Sequence, residues 1–247
     1  CALLNAQPMG FYAPAQILRD ARDHGVEVRG PDVNHSHWDS TMEEAPHGAL
    51  ALRLGLRQIE GLIEAEIARL IAARPAEDIL RRAGLRRATL AALADADALG
   101  SLALSRRESL WAVRRLPDDG ALPLFAAQAA AELADEPDAR LPVMALGEEV
   151  ATDYQTLRLS LKAHPMAILR PRFAQGGILA CAGLAALGNG RFATTAGLVL
   201  VRQRPGKGNA VFITLEDETG ICNVILWARD LERFRKQVMG ARLMQVA

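Results

Sequence analysis

Three basic side chains, Arg202, Arg204 and Lys207, lie close together in a segment rich in proline and glycine. A guanidinium group can donate two parallel hydrogen bonds to one phosphate, and a lysine adds a flexible point charge. The segment is therefore a candidate for binding the phosphates of a nucleic acid. It is not a P-loop, because the sequence lacks the GxxxxGK[ST] pattern and no helix is predicted after it.

The basic loop lies between apolar runs that predict β-strands. The runs cover residues 196–201, 210–215 and 221–227, and each is short and bounded by glycine or proline. Leu231, Phe234 and Val238 then recur at helical spacing, and residues 242–246 begin another apolar run. Three strands, a helix and a strand is the order of an OB-fold, a small barrel that binds oligonucleotides. The sequence therefore places the basic loop at the rim of an OB-fold.

Two aromatic side chains in these strands could stack on bases, as aromatic side chains on OB-folds do. Phe212 and Trp227 both lie within apolar runs, however, and such positions are more typical of a protein core. The sequence therefore favours burial for both side chains.

Helices and short strands are predicted before the OB region. Pro14 begins a helix that ends before Gly25, and Ser105 with Glu108 forms a capping box at the start of another helix. Residues 57–115 show helical spacing of apolar side chains throughout. The remaining predictions are strands at 26–28 and 49–54, turn-rich sequence at 32–48, a flexible linker at 117–140, a helix at 147–160 and a turn at His164-Pro165.

Four separated segments resemble, in family order, the C-terminal part of bacterial C-family DNA polymerases, and more closely the error-prone, damage-tolerant branch related to the DNA polymerase III alpha subunit. Residues 3–28 resemble the end of the fingers region, and residues 52–62 with 106–111 resemble the helix-hairpin-helix region. Residues 143–166 resemble the connector. The stretches GLVLVRQRPG, FITLEDETG and NVILW resemble the OB region.

The resemblance implies an α+β fold built from consecutive parts. These are the end of a mostly helical fingers region at 1–48, a helix-hairpin-helix module at 49–116, a linker and connector helices at 117–190, and an incomplete OB-fold β-barrel at 191–247. The chain begins at Cys1 and ends inside an apolar run, so it is interpreted as an internal fragment.

The resemblance also implies a function for the parent protein, a DNA-directed DNA polymerase in translesion synthesis and DNA repair. Family members hold two metal ions, here Mg²⁺, on paired aspartates of a palm domain. No palm segment is recognised in this chain, so we expect neither catalytic residues nor a cofactor in it. Expected partners are primer-template DNA, the sliding clamp and a Y-family-like accessory protein.

The helix-hairpin-helix interpretation has a physical mechanism. A tight turn between two helices points backbone N–H groups outward, and these hold a phosphate without reading sequence. Ile63 stands where the pattern prefers a second glycine, and a β-branched residue tolerates positive φ poorly, which weakens the first hairpin. An ordinary helical turn remains the alternative. The candidate residues are Gly61, Leu62 and Ile63 at the first hairpin and Gly84, Arg86 and Arg87 at the second.

Two other functional classes stay open. The chain could be a stand-alone, non-enzymatic nucleic-acid-binding module, or it could belong to the replicative alpha subunit. Residues 3–12 favour the error-prone branch over the replicative one.

Composition and charge limit these possibilities. The chain has 247 residues, half of them hydrophobic, and no apolar run reaches the roughly 18 residues of a membrane span. Three widely spaced cysteines suit reduced thiols in a cytoplasmic protein. The net charge is zero, but residues 154–214 contain eight basic and no acidic side chains. Such a block can attract phosphates within a Debye length of about 10 Å.

Metal binding is the weaker interpretation of two polar clusters. His35, His37, Asp39 and His47 lack the ligand spacing of a zinc site and are expected in a solvated loop. Asp217, between two glutamates, is expected in a solvated turn.

Overall fold

The structure is a computed structural model that describes residues 1–10, 12–74, 83–115, 141–206 and 208–247. It contains two compact units, residues 1–161 and residues 162–247. The predicted linker at 117–140 and Lys207 lie outside the described residues. Within the described part of the chain, no helix combines the length and apolar character needed to cross a lipid bilayer.

The first unit combines six described helices with a small sheet. The helices are α1 (Ala2–Asn5), α2 (Pro14–Asp23), α3 (Glu64–Ala72), α4 (Arg87–Asp95), α5 (Arg106–Arg115) and α6 (Leu146–Thr156). The strands are β1 (Glu27–Arg29), β2 (Thr41–Glu44) and β3 (Leu50–Arg53), and short 3₁₀ turns cover Pro46–Gly48, Leu56–Gln58 and Gly100–Leu102. The predicted helix after Pro14, both predicted strands and the helical character of the described part of 57–115 are confirmed.

Strand β2 contradicts the prediction of turn-rich sequence at 32–48. The sheet has the order β1-β3-β2, with β1 parallel and β2 antiparallel to β3. Glu43 of β2 accepts hydrogen bonds from Arg53 at 2.8 Å and from Arg29 at 2.9 Å. Ion pairs with the other two strands of the sheet thus hold β2, and its charged sequence carries little strand signal.

One hydrophobic core joins helices α1 to α5 with strands β1 and β3 of the first unit. Its buried side chains include Leu18 of α2, Leu52 of β3, Ile67 of α3 and Leu93 of α4. The predicted fingers region (1–48) and the predicted helix-hairpin-helix module (49–116) therefore share one core. The boundary between them remains a prediction.

A buried ion pair attaches α6 to α5. The Arg106 side chain is fully buried and donates from Nη2 to Asp153 and from Nη1 to the Glu149 carbonyl at 2.9 Å. Its Nη1 also forms an ion pair with Glu149 Oε2 at 3.0 Å. Ser160 Oγ donates to the second oxygen of Asp153 at 2.6 Å. Immediately before Arg106, Ser105 and Glu108 form the predicted capping box, with Ser105 N–H donating to Glu108 at 2.8 Å.

The second unit contains the predicted order of three strands, a helix and a strand. Its elements are α7 (Pro165–Gln175), β4 (Ile178–Leu179), α8 (Cys181–Ala185), β5 (Thr194–Gln203), β6 (Ala210–Asp217), β7 (Gly220–Trp227), α9 (Ala228–Gly240) and β8 (Leu243–Val246). The turn predicted at His164-Pro165 is wrong, because His164 caps α7 by accepting the Met166 N–H at 3.1 Å. Pro165 occupies the first helical turn, where proline is tolerated, and Pro171 hides the helical pattern further on.

The five strands form one open sheet with the order β4-β5-β6-β7, and β8 pairs with β5. Strand β5 contains a bulge between Val199 and Val201. Among the described residues, no strand pairs with the outer edge of β7, so no closed barrel is found. The α+β class is therefore confirmed, and the OB-fold remains a prediction.

The buried Arg106–Asp153 pair yields a stability prediction. Asp153→Ala leaves the Arg106 charge buried without its shortest contact, so we expect a loss of about 3 kcal/mol in the free energy of unfolding. Urea unfolding followed by circular dichroism measures it. Glu148→Ala is the matched control on the same helix, because its pair with Arg107 is largely exposed, and it should cost less than about 1 kcal/mol. Equal losses would contradict the role assigned to Asp153.

Candidate nucleic-acid interface

One face of the sheet in the second unit carries exposed aromatic and apolar side chains. Val211, Ile213 and Leu215 of β6 point into the core, and their neighbours along the strand point the other way. Phe212 is 40% exposed and Trp227 is 54% exposed, so the prediction that both are core residues is wrong. In a strand with period-two alternation, an apolar residue beside a core residue faces the opposite side of the sheet.

Strand register brings these side chains together. Phe212 pairs with Ile225 on one side and with Gln203 on the other, and Ala210 pairs with Trp227. We call this face the sheet surface; it comprises Val201, Gln203, Phe212, Thr214, Ile221, Asn223, Ile225 and Trp227. An open groove of about 410 Å³ at one end is lined by Trp227, Asn209, Ala228 and Arg229. Contiguous exposed apolar side chains of this kind mark binding surfaces.

The predicted basic loop divides into residues with different environments. Arg202 donates from Nε and Nη2 to the carbonyl oxygens of Val238 and Ala241, at the C-terminal end of α9. Arg204 is exposed and donates to the Gly208 carbonyl at 3.2 Å. The guanidinium of Arg202 is thus engaged in capping a helix, a role that the sequence alone did not suggest, while Arg204 lies at the surface.

Asp217 is not in a solvated turn, because its side chain is fully buried. It accepts hydrogen bonds from the N–H groups of Cys181 at 2.7 Å and Thr219 at 2.8 Å, and it pairs with Arg170 Nη2 at 2.8 Å. Burial alone would raise the pKa of Asp217, but the Thr219 hydroxyl and these backbone N–H groups outweigh it and lower the pKa. The carboxylate joins the β6–β7 turn to α7 and α8.

The first candidate hairpin in the first unit precedes α3. Gly61 has a φ of 86°, in the left-handed region, whereas Ile63 has a φ of −114° and a ψ of 128°. The expectation that Ile63 would need a positive φ is therefore wrong, since its backbone is extended and unstrained. Leu62 packs against the core, and the Ile63 side chain is exposed. Phosphate binding at this hairpin stays a prediction.

The second candidate hairpin leads into α4 and is held by side chains of α3. Gly84 has a φ of 57°, and Arg69 of α3 donates to the carbonyls of Ala83 at 3.2 Å and Gly84 at 3.4 Å. Arg86 is the N-cap residue of α4, and Arg87 donates to the Arg114 carbonyl at 2.9 Å. We call Gly84, Arg86, Arg87 and Arg69 the hairpin surface.

Sequence reasoning missed Glu66, which lies behind the hairpin surface. Its side chain is 8% exposed, and it accepts a 2.5 Å hydrogen bond from Arg86 Nε and another from the Thr89 hydroxyl. Burial pushes the pKa of Glu66 upward, but the bonds from Thr89 and Arg86 bring it below its usual value. A glutamate in the first turn of a helix is common, so its position gave no signal.

The polar clusters considered for metal binding have other contacts. In the part of the chain that the structure describes, no three His, Cys, Asp or Glu side chains converge to hold a metal ion. Asp39 pairs with Arg57 at 2.7 Å. The cysteines are free thiols, and burial raises the pKa of Cys181 to about 12, which leaves almost no thiolate at neutral pH.

Comparison with known proteins bears on both surfaces. A family model described as a helix-hairpin-helix motif matches residues 25–109, which confirms the predicted helix-hairpin-helix region. An error-prone DNA polymerase of Brucella abortus is 53% identical over 251 residues, covering 99% of this chain and 23% of that protein. Those of Sinorhizobium medicae and Rhodopseudomonas palustris are 48% and 51% identical over 272 residues, covering 99% and 100% of this chain and 24% of each relative.

The predicted resemblance to error-prone DNA polymerases is confirmed. The chain spans about a quarter of the length of these curated relatives.

The Arg202 contacts predict a stability effect in the basic loop. Arg202→Ala removes two charge-assisted hydrogen bonds to the end of α9 and should lower the free energy of unfolding by about 1–2 kcal/mol. Arg204→Ala, two residues away on the exposed loop, should leave it within about 0.5 kcal/mol. Urea denaturation of both variants measures the difference, and equal values would exclude a capping role for Arg202.

The lowered pKa of Asp217 predicts acid sensitivity. A carboxyl whose folded pKa lies below its unfolded value of 3.8 stabilises the fold above that pH. This contribution is lost as the pH falls through 3.8 towards the folded pKa. Asp217→Asn should therefore be less stable than the unchanged chain at pH 7, and the gap should shrink on acidification to about pH 3. Thermal unfolding at both pH values measures the gap, and a constant gap would contradict the assignment.

Proposed function

We propose that this chain is a DNA-binding part of an error-prone DNA-directed DNA polymerase that acts in translesion synthesis and DNA repair. The names of relatives at 47–53% identity and the helix-hairpin-helix match support this. The chain would contact the primer-template duplex and the single-stranded template, each through a separate surface.

The hairpin surface would hold the sugar-phosphate backbone of the duplex. A left-handed turn at Gly84 followed by the start of α4 is the arrangement in which backbone N–H groups and the helix dipole favour a phosphate. Arg86 and Arg87 add positive charge beside the turn. Contacts of this kind position a protein on DNA without reading sequence, as a polymerase requires.

The sheet surface would hold the single-stranded template, as part of an OB-fold. The observation that carries this proposal is the pair of half-exposed aromatic side chains, Phe212 and Trp227, on one sheet face. Stacking of a base on an aromatic ring contributes about 1–3 kcal/mol and tolerates any base. Arg204 would supply a contact to the nucleic-acid backbone at the edge of this face, and the sequence offers Lys207 as a second candidate for such a contact.

Catalysis would take place elsewhere in the parent protein. Mg²⁺ would be held by palm carboxylates that are not recognised in this sequence, and its role would be to stabilise the charge that develops during nucleotidyl transfer. The sliding clamp and a Y-family-like accessory protein remain proposed partners, and the cytoplasm the proposed location.

A stand-alone nucleic-acid-binding module is the alternative. Both proposals require DNA binding, so the coding sequence upstream of Cys1 discriminates between them: a palm with clustered aspartates in the same reading frame supports the polymerase. This test does not separate the error-prone from the replicative polymerase, since both have such a palm. The names of the relatives favour the error-prone enzyme.

The sheet surface yields a binding prediction. Phe212→Ala and Trp227→Ala should each weaken binding of a single-stranded oligonucleotide about fivefold or more, because each removes one stacking partner. The salt dependence should stay unchanged, since no phosphate contact is lost. Fluorescence anisotropy with a labelled oligonucleotide across a salt series measures both quantities.

Trp111→Ala is the matched control for this experiment. Trp111 is a half-exposed tryptophan of α5 in the first unit, outside the sheet surface, and its loss should leave single-strand affinity unchanged. Unaltered affinity in both sheet variants would remove the sheet surface from the proposal, and an equal loss in all three variants would show an effect unrelated to it.

A further inference from the structure

A buried carboxylate lies directly behind the basic groups of the hairpin surface. Glu66 Oε1 is 2.5 Å from Arg86 Nε and 3.8 Å from Arg69 Nη2, and Oε2 accepts from the Thr89 hydroxyl. Thr89 is itself buried. The carboxylate is therefore fixed in place, with one oxygen facing α4 and the other facing both arginines.

The two arginines differ from Glu66 in their freedom to move. The side chains of Arg86 and Arg69 are 57% and 52% exposed, whereas Glu66 is nearly excluded from water. An arriving phosphate can reach Arg86 from solvent, while Glu66 cannot follow the arginine outward. Any outward movement of Arg86 must lengthen its contact with the carboxylate.

The charges oppose each other at this position. A phosphate near Arg86 is attracted by the guanidinium and repelled by the carboxylate behind it. Because Glu66 is buried, solvent screens this repulsion less than it would between two exposed charges. Glu66 is ionised at neutral pH, since its hydrogen bonds to Thr89 and Arg86 lower its pKa.

We propose that Glu66 is a positioning residue and an internal counter-ion that limits how strongly the hairpin surface attracts DNA phosphate, because the phosphate must compete with Glu66 for Arg86. This inference rests on the proposed function of the hairpin surface. It assigns Glu66 two linked effects: Arg86 is held at the start of α4, and DNA binding is kept weaker than the arginines alone would make it. A polymerase that moves along its template benefits from such a limit.

The test is a double-mutant cycle on the 247-residue chain with a labelled primer-template duplex. Glu66→Gln preserves the size of the side chain and removes its charge, so duplex affinity should rise about threefold or more at low salt. Arg86→Gln should weaken binding and lower the salt slope by about one phosphate contact. In the double variant, most of the gain from Glu66→Gln should vanish and affinity should lie close to that of Arg86→Gln.

Glu64→Gln is the matched control, since it removes an exposed charge from the same first turn of α3. It should raise affinity much less than Glu66→Gln. A gain that is equal in both variants, or that persists when Arg86 is absent, would be a general charge effect and would overturn the proposal.

A different result is expected if the hairpin surface does not bind DNA at all. If Arg86→Gln and Arg87→Gln each leave duplex binding unchanged, the proposed function of this surface is wrong and the inference falls with it. If they weaken binding but Glu66→Gln does not strengthen it, only the inference is wrong.

A measurement on the unaltered chain covers the case in which Glu66→Gln does not fold. The NMR signal of the Arg86 Nε–H group should shift when duplex is added, because its acceptor changes from carboxylate to phosphate. An unmoved signal at saturating duplex would overturn the proposal.

Discussion

A carboxylate that leaves water must have its charge fully compensated by hydrogen bonds and cations, and this requirement organises the described structure. Three buried carboxylates each hold an arginine from another element. The pairs are Glu66 with Arg86, Asp153 with Arg106, and Asp217 with Arg170. The first fixes the start of α4, the second attaches α6 to α5, and the third joins the β6–β7 turn to α7. Arginines of the chain thus serve partly to neutralise buried carboxylates, and only some guanidinium groups are left for a ligand.

The two candidate surfaces would contact DNA through different kinds of interaction. The proposed DNA contact of the hairpin surface would depend on charge and backbone N–H groups, so its attraction for DNA would decrease as salt screens the phosphates. The proposed contact of the sheet surface would depend instead on the stacking of bases on aromatic faces, which involves no phosphate charge. Together, under the proposed function, they would hold paired and unpaired DNA without preferring any sequence.

The sequence predicted those elements whose pattern is local. Strands β5, β6 and β7 and helix α9 have apolar runs of the correct period, and the capping box before α5 needs only Ser105 and Glu108. Helix α7 was missed because proline stands at its start and interior, and strand β2 because its stability comes from distant arginines.

The site residues were harder to predict because their environments depend on partners 20 to 47 residues away. Nothing near Arg202 in the sequence indicates that the end of α9 lies beside it, and nothing near Glu66 indicates Arg86. Phe212 and Trp227 were wrongly expected to be core residues, because apolar neighbours in the sequence cannot show which face of a sheet is covered. The helix-hairpin-helix region was recognised from its glycines and family likeness rather than from charge.

The bulge in β5 has a consequence for how this sheet can change. Val199 pairs with Leu215 of the inward face, whereas Val201 pairs with Thr214 of the outward face, so the extra residue between them reverses the alternation of every later position. Leu200 is therefore the residue that decides which face of the sheet each later side chain of β5 occupies. Losing the bulge while keeping all its residues would turn Val201 inward and carry Arg202 away from α9 onto the aromatic side, whereas deleting Leu200 would leave both side chains on their present faces.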